Sequence, residues 1–296
     1  MKYAVAVDIG GTNTRVALIN ENYEILKREQ FSTDKDDPSQ TLSLIKQHID
    51  AFHEKIEGVG MSCPGPLDLL EGKIITTPNL NEKWHDYAVS KELEKLIHIP
   101  VYLKNDANLA ALAEATIGEG KSYDVVQYLT VSTGLGAGLV IHKRIFQGTH
   151  GFANEVANIC MQPDGPSHGS IYPGGIEALS SGTAIEQRAK KAGLDVCHAG
   201  EVNALALQGD LAAKLIMDEA KLYLANFIAA IQAYIDPGIF ILGGSVALKI
   251  DGFVEEVEEL VKEKVYPVIA PLVKVHKSTL NEDSGLLGAA CLVFEK

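Results

Sequence analysis

One phrase occurs twice in this chain, and it constrains the fold more than any other feature of the sequence. Residues 3–32, YAVAVDIGGTNTRVALINENYEILKREQFS, alternate like strands and are broken by turn residues at GGTN and NEN. Three consecutive antiparallel strands are predicted there. Residues 125–147, VVQYLTVSTGLGAGLVIHKRIFQ, repeat the pattern of strand, glycine turn, strand, short turn, strand, with Gly10 and Gly134 in matching places. Helix-like stretches and short apolar strands follow each triplet. In the first half these are SLIKQHIDAFHEKI, EGVGMSCPG, VSKELEKLI and PVYLKND. In the second half LAAKLIMDEAKLYLANFIAAIQAYI has helical spacing and runs into DPGIFILGGS, a buried-strand pattern. The expectation is an α/β protein of two similar domains with a central cleft, a common place for ligands. The expected boundaries are residues 1–117 plus 283–296 for the first domain and 118–282 for the second. The closing SGLLGAACLVFEK has the small, apolar face of a helix that packs back onto the first.

A length of 296 residues suits two cores better than one. The formal net charge of -13 argues against a nucleic-acid or membrane partner, but not against a small anionic ligand, which answers to local charge. No apolar run approaches the roughly 18 residues of a membrane span. The start, MKYAVAVDIGG, lacks the order of a signal peptide. Cys63, Cys160, Cys197 and Cys291 are scattered without a C-x-x-C pair. They read as thiols of a reducing compartment, and a cytoplasmic protein is expected.

Three glycine turns each follow a strand: DIGGT at 8–12, STGLGAG at 132–138 and LGGS at 242–245. Glycine lets backbone N–H groups approach an anion closely, and Thr12 and Thr133 add hydroxyl donors. A single such turn is as readily structural; three together suggest a nucleoside triphosphate. ATIGEGKS at 115–122 imitates a phosphate-binding P-loop but has Ala115 in place of the first glycine, and it follows a helical run and precedes a strand. It reads as a helix stop and connector. Ser62 in VGMSCPG lacks the last glycine of a nucleophile elbow, and no two histidines have metal-ligand spacing.

PVYLKNDANLAALAE, residues 100–114, is a strand running into a helix, with Asn105 and Asp106 at the junction. Asp106 either caps the helix or faces a ligand from the C-terminal end of its strand. There it would take a proton from a hydroxyl.

Taken together, DIGGT, SCPGPLD, KNDAN, STGLGAG, NEV, GIEALSSGTAI and LGGSV, in that order, resemble the ROK sugar kinases of the actin-like (ribonuclease H-like) ATPase superfamily over nearly the whole chain. The resemblance implies phosphorylation of a sugar hydroxyl, usually that on C6, by ATP, with Asp106 as general base. It implies that Gly10, Gly11, Thr12, Thr133, Gly134 and Gly136 hold phosphates, that Gly243 and Gly244 lie against the adenosine, and that Asp8 orients Mg²⁺ through water. Gly65, Asn79, Asn105, Glu155, Asn158 and Glu177 are the implied sugar contacts, with Asn154 a turn amide. The family places a zinc-ligating histidine where Asn158 stands, and cysteines where His168, Ser170 and Gly175 stand, so no zinc is expected. Zinc-lacking relatives include β-glucoside and N-acylmannosamine kinases, and the pattern leans to a β-glucoside, with glucose or fructose also open. Homodimers are usual in the family. Its repressor branch carries a helix-turn-helix ahead of the first strand, which here begins at Lys2, so a sugar-responsive repressor or sensor is the lesser expectation.

Overall fold

The computed structural model describes residues 1–77, 80–280 and 283–295. The chain divides into two compact units, Met1–Thr116 with Gln147–Phe152 and Glu282–Lys296, and Ile117–Phe146 with Ala153–Asn281. The segment Gln147–Phe152, assigned above to the second domain, belongs with the first unit, where Gly151 lies beside Leu69.

The first unit is built on β1 (Tyr3–Ile9), β2 (Asn13–Asn20), β3 (Ile25–Ser32), β4 (Ile56–Ser62) and, after the small ladder β5 (Leu67–Asp68) and β6 (Lys73–Ile74), β7 (Val101–Lys104). The main sheet has the order β3-β2-β1-β4-β7. The first three strands are antiparallel, while β1, β4 and β7 run parallel. The alternation in YAVAVDI sets the two faces. Val5, Val7 and Ile9 enter the large core with Leu42, Ile45, Trp84 and Leu93, carried by α1 (Pro38–Asp50), the short 3-10 turn Glu82–Trp84 and α2 (Val89–Ile97). The small residues Ala4, Ala6 and Gly60 accommodate a closely packed helix instead. A Cβ on Gly60 would meet the Ala289 carbonyl oxygen at 2.1 Å. That helix, designated α10 (Ser284–Phe294), packs on β1, β4 and α3 (Asp106–Thr116).

The first helix lies earlier than SLIKQHIDAFHEKI suggests. Asp37 caps it by accepting from the Ser39 N–H at 2.9 Å, Pro38 opens it, and it ends at Asp50. Ile56 then joins β4 beside Tyr3.

The second unit repeats the topology with β8 (Val125–Val131), β9 (Leu135–Ile141), β10 (Arg144–Ile145), β11 (Ile239–Gly243) and β12 (Val275–Lys277), in the order β10-β9-β8-β11-β12. Its helices are α4 (Ile176–Ser180), α5 (Gly182–Lys191), α6 (Ala199–Leu207), α7 (Leu211–Ile235), α8 (Gly244–Lys249) and α9 (Phe253–Lys262). α7 coincides with the run predicted for it. Asp210 caps its start by accepting from the Ala213 N–H, and the left-handed Asp236 ends it. Leu224, Phe227 and Ile228 of α7 share a core with Phe240 and Leu242 of β11 and Phe253 and Val257 of α9. No helix among the described residues is long and apolar enough to cross a membrane.

Candidate active site

In the first unit the central feature is the junction between β7 and α3. The helix cap is Asn105, not Asp106: the Asn105 side-chain oxygen accepts from the Asn108 N–H at 2.8 Å. Asp106 is thereby relieved of capping and stands on the first turn. Its Oδ1 accepts from the Ala107 N–H at 2.7 Å. Asp106 is exposed as a residue, yet protein crowds its carboxyl. Desolvation pushes its pKa up, the Ala107 N–H pulls it down, and the charge of Asp8 pushes it up again.

Asp8 ends β1 opposite Arg15 of β2. Arg15 donates to Asp8 Oδ2 from Nε at 3.1 Å and from Nη2 at 2.6 Å, which leaves Oδ1 without a hydrogen bond among the described residues. Sequence reasoning missed Arg15. The strand register was its signal, since residues facing each other across a hairpin share one side of the sheet.

Gly10, Gly11 and Thr12 form the β1–β2 turn, closed by Gly10 N–H donating to the Asn13 carbonyl at 2.9 Å. Thr33 fastens this turn from outside. Its N–H donates to the Thr12 carbonyl at 2.9 Å and its hydroxyl to the Gly10 carbonyl at 2.8 Å. Thr33 also went unread, being distant in sequence and outside any motif. Gly65 lies in the loop after β4, while Asn79 falls outside the described residues. Ser62 is buried at the end of β4.

In the second unit Ser132, Thr133 and Gly134 form the β8–β9 turn, whereas Gly136 lies inside β9 opposite Thr130. Thr133 borders a cavity of about 590 Å³ lined also by Gly182, Thr183, Glu186, Ser245 and Lys249. Gly243 and Gly244 do not line that cavity themselves; they end β11 and open α8, which carries Ser245 into the wall. Ser132 and Ser245 are joined through their hydroxyls at 3.1 Å.

Glu155 and Asn158 sit in exposed loop. The Asn158 side-chain oxygen accepts from the Tyr172 N–H at 2.7 Å, so its acceptor holds the loop together. Asn154 is a turn amide as expected, with a left-handed φ of 71° and its oxygen taking a hydrogen from Gln127. Glu177 opens α4; its Oε2 accepts from the Leu135 N–H at 2.8 Å, and its Oε1 is 3.8 Å from His168 Nε2.

The donor chemistry around residues 158–177 does not fit zinc. The positions in question offer one imidazole, an amide already engaged, a hydroxyl and a glycine, and zinc needs four nitrogen, sulfur or carboxylate ligands. Among the described residues no cluster of three or more His, Cys, Asp or Glu could hold a metal. Backbone bonds pin the loop instead, from Met161 N–H to the Gly174 carbonyl at 2.8 Å and from Ile176 N–H to the Ile159 carbonyl at 2.9 Å. Magnesium asks for less, an oxygen-rich site that keeps several waters, and the unengaged Oδ1 of Asp8 suits it.

Two mixed α/β units of one topology, with glycine turns at strand ends and an aspartate opening a helix after a parallel strand, define an actin-like ATPase fold. The ROK family profile matches residues 4–296, and the chain belongs to the ROK family. It is 30% identical to a glucokinase of Thermotoga maritima, over 99% of this chain and 97% of that one. It is 29% identical to an N-acetylmannosamine kinase of Yersinia pestis, over 98% of each. The solved structure of a ROK hexokinase from Thermus thermophilus superposes with a TM-score of 0.88 at 30% identity, covering 98% of this chain and 97% of the other.

Proposed function

We propose that this protein transfers the γ-phosphoryl group of ATP to the C6 hydroxyl of a hexose, with Asp106 as general base. The chain is a carbohydrate kinase, as its similarity to glucokinase and N-acetylmannosamine kinase supports. The observation that carries the assignment of the base is the placement of Asp106. It opens α3, Asn105 has taken over the cap, and its surroundings raise its proton affinity. A base so tuned accepts a proton more readily at neutral pH than an ordinary aspartate.

As the sugar O–H proton passes to Asp106, the oxygen bonds to the γ-phosphorus and the bond to the departing ADP oxygen breaks. Such transfer depends on positioning and charge stabilisation more than on covalent chemistry. Thr12 and Thr133 supply hydroxyl donors to phosphate oxygens, beside the N–H groups of Gly11 and Gly134, while Gly10, whose own N–H closes the first turn on Asn13, shapes it. Gly136 lies on β9 beside the second turn, and Gly243 and Gly244 shape the third. Magnesium, when bound, offsets phosphate charge, and Asp8 would hold it through water, oriented by Arg15. Gly65, Asn79, Asn105, Glu155, Asn158 and Glu177 are assigned to the sugar. A cytoplasmic homodimer belongs to the same reading.

For the acceptor we favour a gluco-configured hexose, free or with a β-linked substituent at C1. The loop that zinc organises elsewhere in the family is here closed by Asn158 accepting from the Tyr172 N–H, which supports the reading drawn from the missing zinc ligands. Release of ADP with ATP and Mg²⁺ against glucose, fructose, N-acetylmannosamine and cellobiose tests it. Turnover on glucose or cellobiose is expected. Turnover on N-acetylmannosamine alone would overturn the acceptor, and none on any sugar would overturn the kinase reading.

A further inference from the structure

The β8–β9 turn is tethered at three residues, all to one corner of the second unit. The Gly182 N–H donates to the Ser132 carbonyl at 2.7 Å, and the Thr183 N–H donates to the Thr133 carbonyl at 3.3 Å. The third tether is a side chain: Glu177 Oε2 accepts from the Leu135 N–H at 2.8 Å. Glu177 belongs to the same corner, since its carbonyl accepts from the Ser181 N–H at 3.1 Å, one residue before Gly182.

Two further observations show on which side the carboxylate works. A Cβ on Gly134 would lie 2.7 Å from Glu177 Oε2, so the carboxylate packs directly against the turn. Glu177 is only 17% exposed, and neither it nor Leu135 lines the cavity bordered by Thr133. The carboxylate therefore meets the turn from a side other than the cavity. The Leu135 N–H that it takes does not belong to a residue lining that cavity.

We propose that Glu177 is a positioning residue for the nucleotide-phosphate turn, holding its Leu135 end in place for phosphate binding, in addition to its assignment to the sugar. The proposal rests on the reading of STGLGAG as a phosphate turn. It gives one carboxylate a part in both substrates' binding, because a sugar hydroxyl that engages Glu177 also loads the brace on the turn.

The test is ADP titration by calorimetry with no sugar present, on wild type, Thr133→Ala, Glu177→Ala and Glu177→Gln, together with hydrogen exchange at the Leu135 amide. A charge-assisted bond of this kind predicts that Glu177→Ala weakens ADP binding about tenfold and speeds exchange at Leu135. Glu177→Gln, a weaker acceptor, falls in between. Unchanged or tighter ADP binding by Glu177→Ala, with Thr133→Ala weakened, would overturn the proposal and leave Glu177 to the sugar alone. If Glu177→Ala does not fold, wild-type ADP affinity in Glu177→Gln overturns it equally. No effect from Thr133→Ala, or no ADP binding by wild type, would overturn the phosphate-turn reading and this inference with it.

Discussion

Substituting alanine at two glycines of α10 should have opposite effects. A Cβ on Gly288 would lie 1.9 Å from the Leu109 carbonyl oxygen of α3, whereas one on Gly285 meets nothing within 4 Å. Ordinary carbon–oxygen contact begins near 3.3 Å, so the two helices must separate by about 1.4 Å in Gly288→Ala. Both partners are backbone, which cannot swing aside, so the cost sits at the upper end of overpacking, about 3 kcal/mol. The gain in helix propensity from glycine to alanine returns about 1 kcal/mol. The net loss is about 2 kcal/mol for Gly288→Ala, whereas Gly285→Ala, in the first turn of α10, should gain less than about 1 kcal/mol. Trp84 is the only tryptophan and is wholly buried in the first unit, so its fluorescence during urea unfolding reports that unit. The displaced helix begins at Asp106, and a shift of about 1 Å in a reacting group can lower turnover by about 100-fold. A Gly288→Ala variant within about 0.5 kcal/mol of wild type would refute the close packing of α10 on α3, because ordinary surface changes fall in that range.

Arg15→Met removes both hydrogen bonds to Asp8 Oδ2 and should raise the Mg²⁺ concentration needed for half-maximal turnover; an unchanged requirement would detach Asp8 from the metal. Stripping the protein with a zinc chelator and returning it to Mg²⁺ should leave melting temperature and turnover as they were, and loss of either would restore zinc to the account. The pKa of Asp106 is raised on folding, so turnover should decline as pH falls through a value above that of an ordinary aspartate. The same sign makes ionised Asp106 destabilising. Asp106→Asn should therefore melt above wild type at neutral pH, and the advantage should vanish below the ordinary aspartate pKa.

Much of the fold was readable because its signals are local. The two glycine-turned triplets, the Ala/Val alternation of β1 and the Asp210 and Asp236 limits of α7 all lie within a few residues of what they determine. The first helix was misplaced because the Asp37–Pro38 start signal was passed over in favour of apolar spacing that runs on to Ile56, a residue claimed by pairing with Tyr3. In the site, Asp106 stood out at a strand–helix junction, but its rival for the cap was its own neighbour, and only side-chain geometry assigns that role to Asn105. Thr33 and the Glu177–Leu135 bond join segments far apart in sequence. No spacing rule encodes such partners, since the fold itself brings them together.

The most direct measurement is turnover of wild type and Asp106→Asn on the preferred sugar, alongside ATP affinity for both. A positioned general base typically contributes about 100- to 10,000-fold, so the account predicts a collapse of that size in turnover with ATP affinity retained. Equal turnover in the two proteins would contradict it and send the search for the base elsewhere.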